Sequence, residues 1–201
     1  LTASGTAITA AITTGSGADT LTLSASSSLT GNVSLGIDGD TPTISDSFDS
    51  INGWNGGTLE TSSSYFGSFL GRYSNGAETN GQDVSKSFTL NSQPATISFD
   101  FIKLDSWDTE IFRAYINDTV AFTGSFKYDL PISSSSGTTN GFSWTIAPKD
   151  SLANNGFSSW QDQIGIVTIS LPSGYSNVKI GFGSNLNSDA SDESYGIDNL
   201  S

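Results

Sequence analysis

The segment ATISFDFI, residues 95–102, decides the fold because its apolar and polar side chains alternate. In an extended chain Ile97, Phe99 and Phe101 share one face, and the residues between them occupy the other. The segment VKIGF, residues 178–182, repeats this pattern. Strands with one apolar face bury it by pairing into sheets that pack against each other. The pattern therefore predicts a β-sandwich.

Similar short runs extend over residues 45–201, and turn residues separate them. The predicted strands cover residues 66–73, 84–90, 95–102, 111–116, 119–123, 142–146, 165–171, 178–182 and 196–200. Predicted turns lie at Asn75-Gly76, Asn80-Gly81, Asn140-Gly141 and residues 172–174. Residues 148–160 have room for one helical turn at most. The number and spacing of the strands predict an all-β domain with an antiparallel jelly-roll topology.

Residues 1–44 differ from the rest, because they are rich in Thr, Ala, Ser and Gly and almost free of aromatic residues. The segment TTGSGADTL at residues 13–21 recurs as SLGIDGDTP at residues 34–42. A repeat of this period is typical of a β-solenoid, in which each coil adds one strand to a growing sheet. We therefore predict a short solenoid segment over residues 1–44, the end of a longer repeat region, with a domain boundary before residue 45.

Both copies resemble the glycine-rich calcium-binding nonapeptide of repeats-in-toxin proteins. Residues 14–22, TGSGADTLT, retain two of its glycines, its aspartate and its apolar position. The resemblance implies calcium ligands at Asp19, Asp38 and Asp40. The alternative is a set of glycine turns that hold no ion.

The charge balance and the missing residue types exclude several functions. The chain has 7 Lys and Arg residues against 20 Asp and Glu, a net charge of −13, which opposes nucleic-acid binding. It has no Cys and no His, which excludes thiolate or imidazole zinc sites and Cys-His or Ser-His catalysis. It lacks an apolar run long enough to span a bilayer, so no membrane insertion is expected. Without a starting Met or a signal peptide, it is expected to be part of a longer exported protein.

Two acidic segments suggest cation binding. The first is DSWDTE, with Asp105, Asp108 and Glu110, and the second is SDASDESYGIDN, with Asp192, Glu193 and Asp198. Carboxylates this close repel one another unless a cation or solvent relieves them, and Ca²⁺ binds six to eight oxygen ligands. The segments therefore predict calcium as the bound ion. Solvated loop acids remain the alternative.

Four segments together resemble a known family: residues 95–117 and 192–201, with DSFDSINGW (46–54) and FLGRYSNG (69–76). They are similar to a jelly-roll domain of large bacterial calcium-dependent surface proteins of the repeats-in-toxin type. The resemblance implies a secreted, lectin-like domain at the cell surface. It also implies a structural calcium that joins the first and last strands, through Asp46 or Asp49 with Asp198.

Aromatic residues in polar loops are candidates for sugar contact, because exposed rings stack on the apolar faces of sugars. Trp54 in NGWNGG and Trp160 after NNGFSS are expected to be exposed, and Tyr65 and Trp107 are further candidate ligand-binding residues. Trp107 could instead pack against the DSWDTE loop, and Trp144 alternates with a core phenylalanine. Packing of all these rings in the interior is the alternative.

The sequence thus favours a non-catalytic, calcium-stabilised module of an extracellular adhesin that binds a cell-surface glycan. A second hypothesis is a building block of a surface layer or fibre, with neighbouring copies of the same protein as partners. A third, more distant one is a glycoside-active enzyme that uses a carboxylate pair such as Asp108 and Glu193.

Overall fold

The structure is a computed structural model that describes residues 46–74, 81–90 and 92–201. Before residue 46 it describes only the backbone of six short strands. These are β1 (Thr2–Ser4), β2 (Ala7–Ile8), β3 (Ile12–Thr13), β4 (Thr22–Ser24), β5 (Ser28–Leu29) and β6 (Val33–Ser34).

These six strands form three parallel pairs, β1 with β4, β2 with β5 and β3 with β6. Thr2 lies opposite Thr22, Ala7 opposite Ser28 and Ile12 opposite Val33, so paired residues are 20 or 21 positions apart. This separation agrees within one residue with the 21-residue offset of the sequence repeat. The solenoid and the domain boundary before residue 45 stay predictions.

The described residues after Asp46 contain strands and loops and no helix, which confirms the all-β class. The strands are β7 (Leu59–Ser63), β8 (Gly67–Tyr73), β9 (Val84–Thr89), β10 (Ala95–Asp105), β11 (Asp108–Ile116), β12 (Thr119–Lys127), β13 (Ser135–Thr139), β14 (Phe142–Pro148), β15 (Gln163–Leu171), β16 (Asn177–Ser184) and β17 (Glu193–Asp198). All nine predicted strands are present, with ends that differ by a few residues. Residues 149–160, after β14, form an irregular loop without a helical turn.

The strands form two antiparallel sheets that pack as a sandwich, as predicted. The larger has the order β13-β14-β15-β10-β17-β8-β7 and the smaller β12-β11-β16-β9. Sequence patterns missed β7 and β13, because LETSS and SSGTT contain almost no apolar residues. The predicted Asn140-Gly141 turn joins β13 to β14, and both residues have positive φ, 50° and 88°. Asparagine and glycine tolerate this backbone conformation, which a two-residue hairpin turn requires.

The core lies between the sheets, and β10 crosses its centre. Ile97, Phe99 and Phe101 are buried there as the alternation predicts. Phe101 stacks on Phe112 of the opposite sheet with ring centroids 4.3 Å apart. Aromatic contact of this kind adds to the free energy gained by burying the rings.

A second apolar cluster lies on the outer face of the larger sheet. It consists of Phe66, Phe69, Ile102 and Leu104, and Phe157 and Ile164 pack against it. Phe157 belongs to residues 149–162, the connection from β14 to β15, here called the 149–162 loop. The second half of β10 is therefore buried on both faces, beneath this loop.

Lys103 of β10 is fully buried between apolar sequence neighbours, which is unusual for a charged side chain. Its Nζ donates to the carbonyl oxygens of Lys127 at 2.7 Å and Leu130 at 3.1 Å. Burial lowers the pKa of Lys103 to about 8. The side chain thus fastens the chain beyond β12 to the centre of the larger sheet.

Candidate functional site

The two acidic segments meet at one corner of the sandwich, here called the acidic corner. Ser106 joins them, because its backbone N–H donates to the Asp192 carbonyl at 2.9 Å and its hydroxyl to the Asp192 carboxylate at 2.8 Å. Asn185, three residues before the second segment, donates its backbone N–H to the Ile111 carbonyl of β11 at 3.1 Å. Residues far apart in sequence, 105–110 and 185–193, therefore form one surface.

Two neighbouring carboxylates act on the Glu193 carboxylate at this corner. Burial raises the pKa of Glu193, and the charges of Glu110 and Asp192 raise it further. Glu193 Oε1 accepts the backbone N–H groups of Asn187 at 2.8 Å and Ser188 at 2.9 Å, which opposes that rise. The Glu110 carboxylate accepts the backbone N–H of Asp108. Glu193 therefore orders the loop that precedes β17.

Asp105, a predicted calcium ligand, has other partners in this structure. Its Oδ2 lies 2.9 Å from Arg72 Nη2, and its Oδ1 accepts the Ser158 hydroxyl at 2.5 Å. Arg72 also donates to the Ser194 hydroxyl at 2.9 Å, and its guanidinium lies 4.0 Å from the centroid of the Phe157 ring. The carboxylate is thus neutralised by arginine and joined to the 149–162 loop.

Asp162 anchors the same loop from its other end. Its carboxylate is fully buried and accepts the backbone N–H of Asp105 at 2.9 Å and of Asn155 at 3.0 Å. Gly156 is required next to it, because a Cβ atom there would lie 2.6 Å from an Asp162 oxygen. Burial raises the pKa of Asp162, whereas these N–H donors lower it. A loop without regular secondary structure is therefore held in one conformation by buried polar contacts.

Two exposed aromatic rings lie at this loop. Trp160 is 41% exposed, and its ring packs edge-to-face on Tyr128 at 4.8 Å. Tyr65 is 50% exposed, and its hydroxyl donates to the Asp150 carboxylate at 3.2 Å. Asp150 in turn accepts the backbone N–H of Ile164 at 2.7 Å. The expected exposure of Trp160 is confirmed, and both rings are fixed by neighbours while one side remains open to solvent.

The expected exposure of Trp54 is wrong. Trp54 is 7% exposed, because its ring stacks on Phe182 in the core at 6.0 Å. Its indole N–H donates to Asp46 at 3.1 Å. Although NGWNGG is rich in glycine, the polar end of the ring has a partner and the apolar body is buried.

Trp107 is fully buried and has no surface to offer a ligand. Its indole N–H donates to the Ser194 carbonyl at 2.8 Å, and its ring packs on Phe101. The alternative interpretation, that it packs beneath the DSWDTE loop, describes this arrangement. Trp144 packs against the core from β14, as its alternation with Phe142 predicts.

Asp198 lies among other acids on the outer face of the larger sheet. The pKa of Asp198 is raised to about 6, chiefly by burial and in part by the charges of Asp100 and Asp49. Lys149 pairs with Asp100 at 2.5 Å and partly offsets them. Asp46 pairs with Lys86 at 3.3 Å. A structural calcium that joins Asp46 or Asp49 to Asp198 stays a prediction.

Calcium binding itself stays a prediction. In the described part of the chain, no group of three or more acidic side chains is arranged to hold a metal ion. Asp19, Asp38 and Asp40 lie outside the described residues. That part also contains no helix long and apolar enough to cross a membrane.

Sequence reasoning missed Arg72, Asp150, Ser158 and Asp162, which build the support of the 149–162 loop. Arg72 was the one weak signal of this support in the sequence. An arginine within an otherwise apolar strand is rarely buried unless an acidic side chain pairs with it. Comparison with known proteins adds no identification: no family model, no curated protein and no solved structure matches this chain.

Proposed function

We propose that this chain is a non-catalytic binding module of a secreted bacterial cell-surface protein, which mediates adhesion by binding carbohydrate. One observation carries the proposal: Tyr65 in the β7–β8 turn and Trp160 in the 149–162 loop are both exposed, and buried polar contacts hold the 149–162 loop in place. A rigid aromatic surface loses little conformational entropy on binding, and aromatic rings stack on sugars.

The groups around the two rings suit a neutral or weakly basic sugar. Asp150 lies beside Tyr65, and carboxylate oxygens accept hydrogen bonds from sugar hydroxyls. The net charge of −13 opposes anionic glycans. The proposed ligand is therefore an uncharged or amino-substituted oligosaccharide.

Calcium stabilisation, jelly-roll topology and the N-terminal solenoid belong to the same proposal. The grouping of Glu110, Asp192 and Glu193 at the acidic corner supports the first, since a cation would relieve their mutual repulsion. The two packed antiparallel sheets support the second. The parallel strand pairs 20 or 21 residues apart support the third.

Binding to a panel of immobilised neutral, amino and acidic oligosaccharides tests the proposal. We expect Trp160→Ala and Tyr65→Ala each to weaken binding about tenfold, whereas Ile166→Ala changes it little. Ile166 is a matched control, because it is also apolar and 37% exposed but lies within β15. Absence of binding to every oligosaccharide, or equal loss in all three variants, would reject carbohydrate recognition at this loop.

A second candidate function is a structural block of a surface layer or fibre. It is favoured by one specific feature, the unprotected edge strand β13. This feature is independent of Tyr65, Trp160 and the 149–162 loop.

A further inference from the structure

We propose that two copies of this chain pair through β13, antiparallel and about a two-fold axis, so that their larger sheets join into one. The inference rests on the second candidate function and does not depend on carbohydrate binding. It identifies the partner as a second copy and the contact as the backbone of Ser135–Thr139.

One side of the β13 backbone has N–H and C=O groups that do not pair with another strand of the sheet. β13 is the last strand of the larger sheet and pairs with β14 on one side. Thr139 and Phe142 flank the two-residue turn, so they form a hydrogen-bonded pair, and alternation gives Gly137 and Ser135 the same role. The N–H and C=O groups of Ser136 and Thr138 therefore point away from β14, toward solvent.

The other three sheet edges have the protection that natural proteins usually give such strands. At β9, Asn55 exchanges both backbone hydrogen bonds with Ser85, at 2.8 and 3.0 Å. Along β12, register shifts interrupt the pairing with β11, and Asn140 donates to the Val120 carbonyl at 3.0 Å. At β7, the register shifts after Glu60, which adds a charge at the edge. Among the four edge strands of the two sandwich sheets, β13 alone combines regular pairing with an edge that carries no charge.

Charge favours the same edge. No Asp, Glu, Lys or Arg occurs in residues 130–148 or in residues 163–178, which include β13, β14 and β15. Two copies with a net charge of −13 repel each other, and they can approach with least repulsion at this uncharged side. The outer face there carries small hydroxyl side chains, Ser136 and Thr138 on β13 followed by Thr145 and Ser143 on β14. These side chains present no obstacle to a further strand.

A two-fold axis at Gly137 places Ser136 of each copy opposite Thr138 of the other. Both outward N–H groups of each strand then have an acceptor. Such an interface is isologous and closes as a dimer, so a layer or fibre would be built from these dimers through a second contact elsewhere on the chain.

Sedimentation over a wide range of protein concentration tests the proposal. We expect wild-type protein to shift from monomer to dimer, and Thr138→Pro to raise the dissociation constant at least tenfold. Proline removes an N–H that β14 does not use, so the hairpin itself is retained. Thr138→Val keeps the N–H and replaces only the hydroxyl by a methyl group, and we expect it to dimerise like wild type.

A second measurement serves if Thr138→Pro fails to fold. Because the chain has no cysteine, Ser136→Cys and Thr138→Cys can be mixed and oxidised. We expect cross-linked dimers in the mixture, because residue 136 of one copy lies directly opposite residue 138 of the other. Either variant alone should give few, because its two cysteines then lie diagonally across the interface and farther apart. A wild-type protein that stays monomeric at every concentration overturns the proposal. Dimers that persist in Thr138→Pro, or equal cross-linking in all samples, also overturn it. Loss of glycan binding has no bearing on either measurement.

Discussion

Arg72 Nη2 lies 2.9 Å from Asp105 Oδ2, and the two side chains are 12% and 0% exposed. This ion pair connects β8 to the end of β10 and, through the Ser158 hydroxyl on Asp105, to the 149–162 loop. A buried charge without its partner is costly, so the pair fixes the relative position of three segments. The loop that carries Trp160 is therefore joined to the sheet by an ion pair that is itself buried.

Asp105→Asn is expected to destabilise the protein by about 3 kcal/mol, because it leaves Arg72 buried without a counter-charge. Asparagine is the suitable replacement, since residue 105 has a φ of 68° and asparagine tolerates this conformation. Unfolding in urea measures the effect. Asp129→Asn is the control, because its pair with Lys127 is about 40% exposed and contributes less than about 1 kcal/mol. Equal effects of the two substitutions would contradict a structural role for the buried pair.

Asp198 is expected to make the calcium-free protein less stable as the pH rises from about 4 to about 6. Its pKa is about 6 in the folded protein against an ordinary value of 3.8, so the folded state binds the proton more tightly in this interval. The full shift corresponds to about 3 kcal/mol, and solvent screening of this partly exposed group reduces it to about 1 kcal/mol.

Asp198→Asn removes this ionisation and should raise the melting temperature at pH 7 while flattening its pH dependence between pH 4 and 6. Asparagine can still accept the backbone N–H of Asn199, which Asp198 holds at 2.8 Å. Melting curves recorded in a chelator over this pH range provide the measurement. A variant with the same pH dependence as wild type would show that other acids dominate.

The tryptophans are expected to separate into structural and surface residues. Trp107→Ala should cost about 4 kcal/mol, because it opens a cavity in the core and removes the hydrogen bond to Ser194. Trp160→Ala should cost less than about 1 kcal/mol, because the ring is 41% exposed. Urea unfolding measures both. A large loss of stability in Trp160→Ala would mean that its contact with Tyr128 supports the fold, and its effect on glycan binding would then be indirect.

Calcium is expected to raise the melting temperature relative to a chelator, with bound metal detected in the same sample. The ion would relieve the repulsion at the acidic corner, and ligand binding to the folded state alone stabilises it. The paired substitution Glu110→Gln with Asp192→Asn should abolish most of this shift.

The matched control is Asp118→Asn with Asp129→Asn, which removes two charges elsewhere on the surface and should leave the calcium effect intact. No melting shift and no bound metal in wild type would reject calcium stabilisation. A shift that survives in the corner variant would move the ion to other acids.

Much of the fold followed from local pattern. Alternation in ATISFDFI and VKIGF predicted strands with one buried face, and Asn140-Gly141 predicted a hairpin turn, because these features depend on neighbours in sequence. The strands β7 and β13 escaped prediction, since their polar sequences form strands only through pairing with β8 and β14. Their existence depends on partners and not on their own side chains.

The sequence by itself determined the all-β class, the apolar face of each main strand, and the strongly acidic character of the protein. The tertiary structure decided which residues meet. It paired Asp105 with Arg72, 33 residues away, and buried Trp54 within the core although glycines surround it. It also left Trp160 and the edge of β13 at the surface. The physical reason is that burial and pairing depend on distances across the fold, which local sequence patterns do not contain.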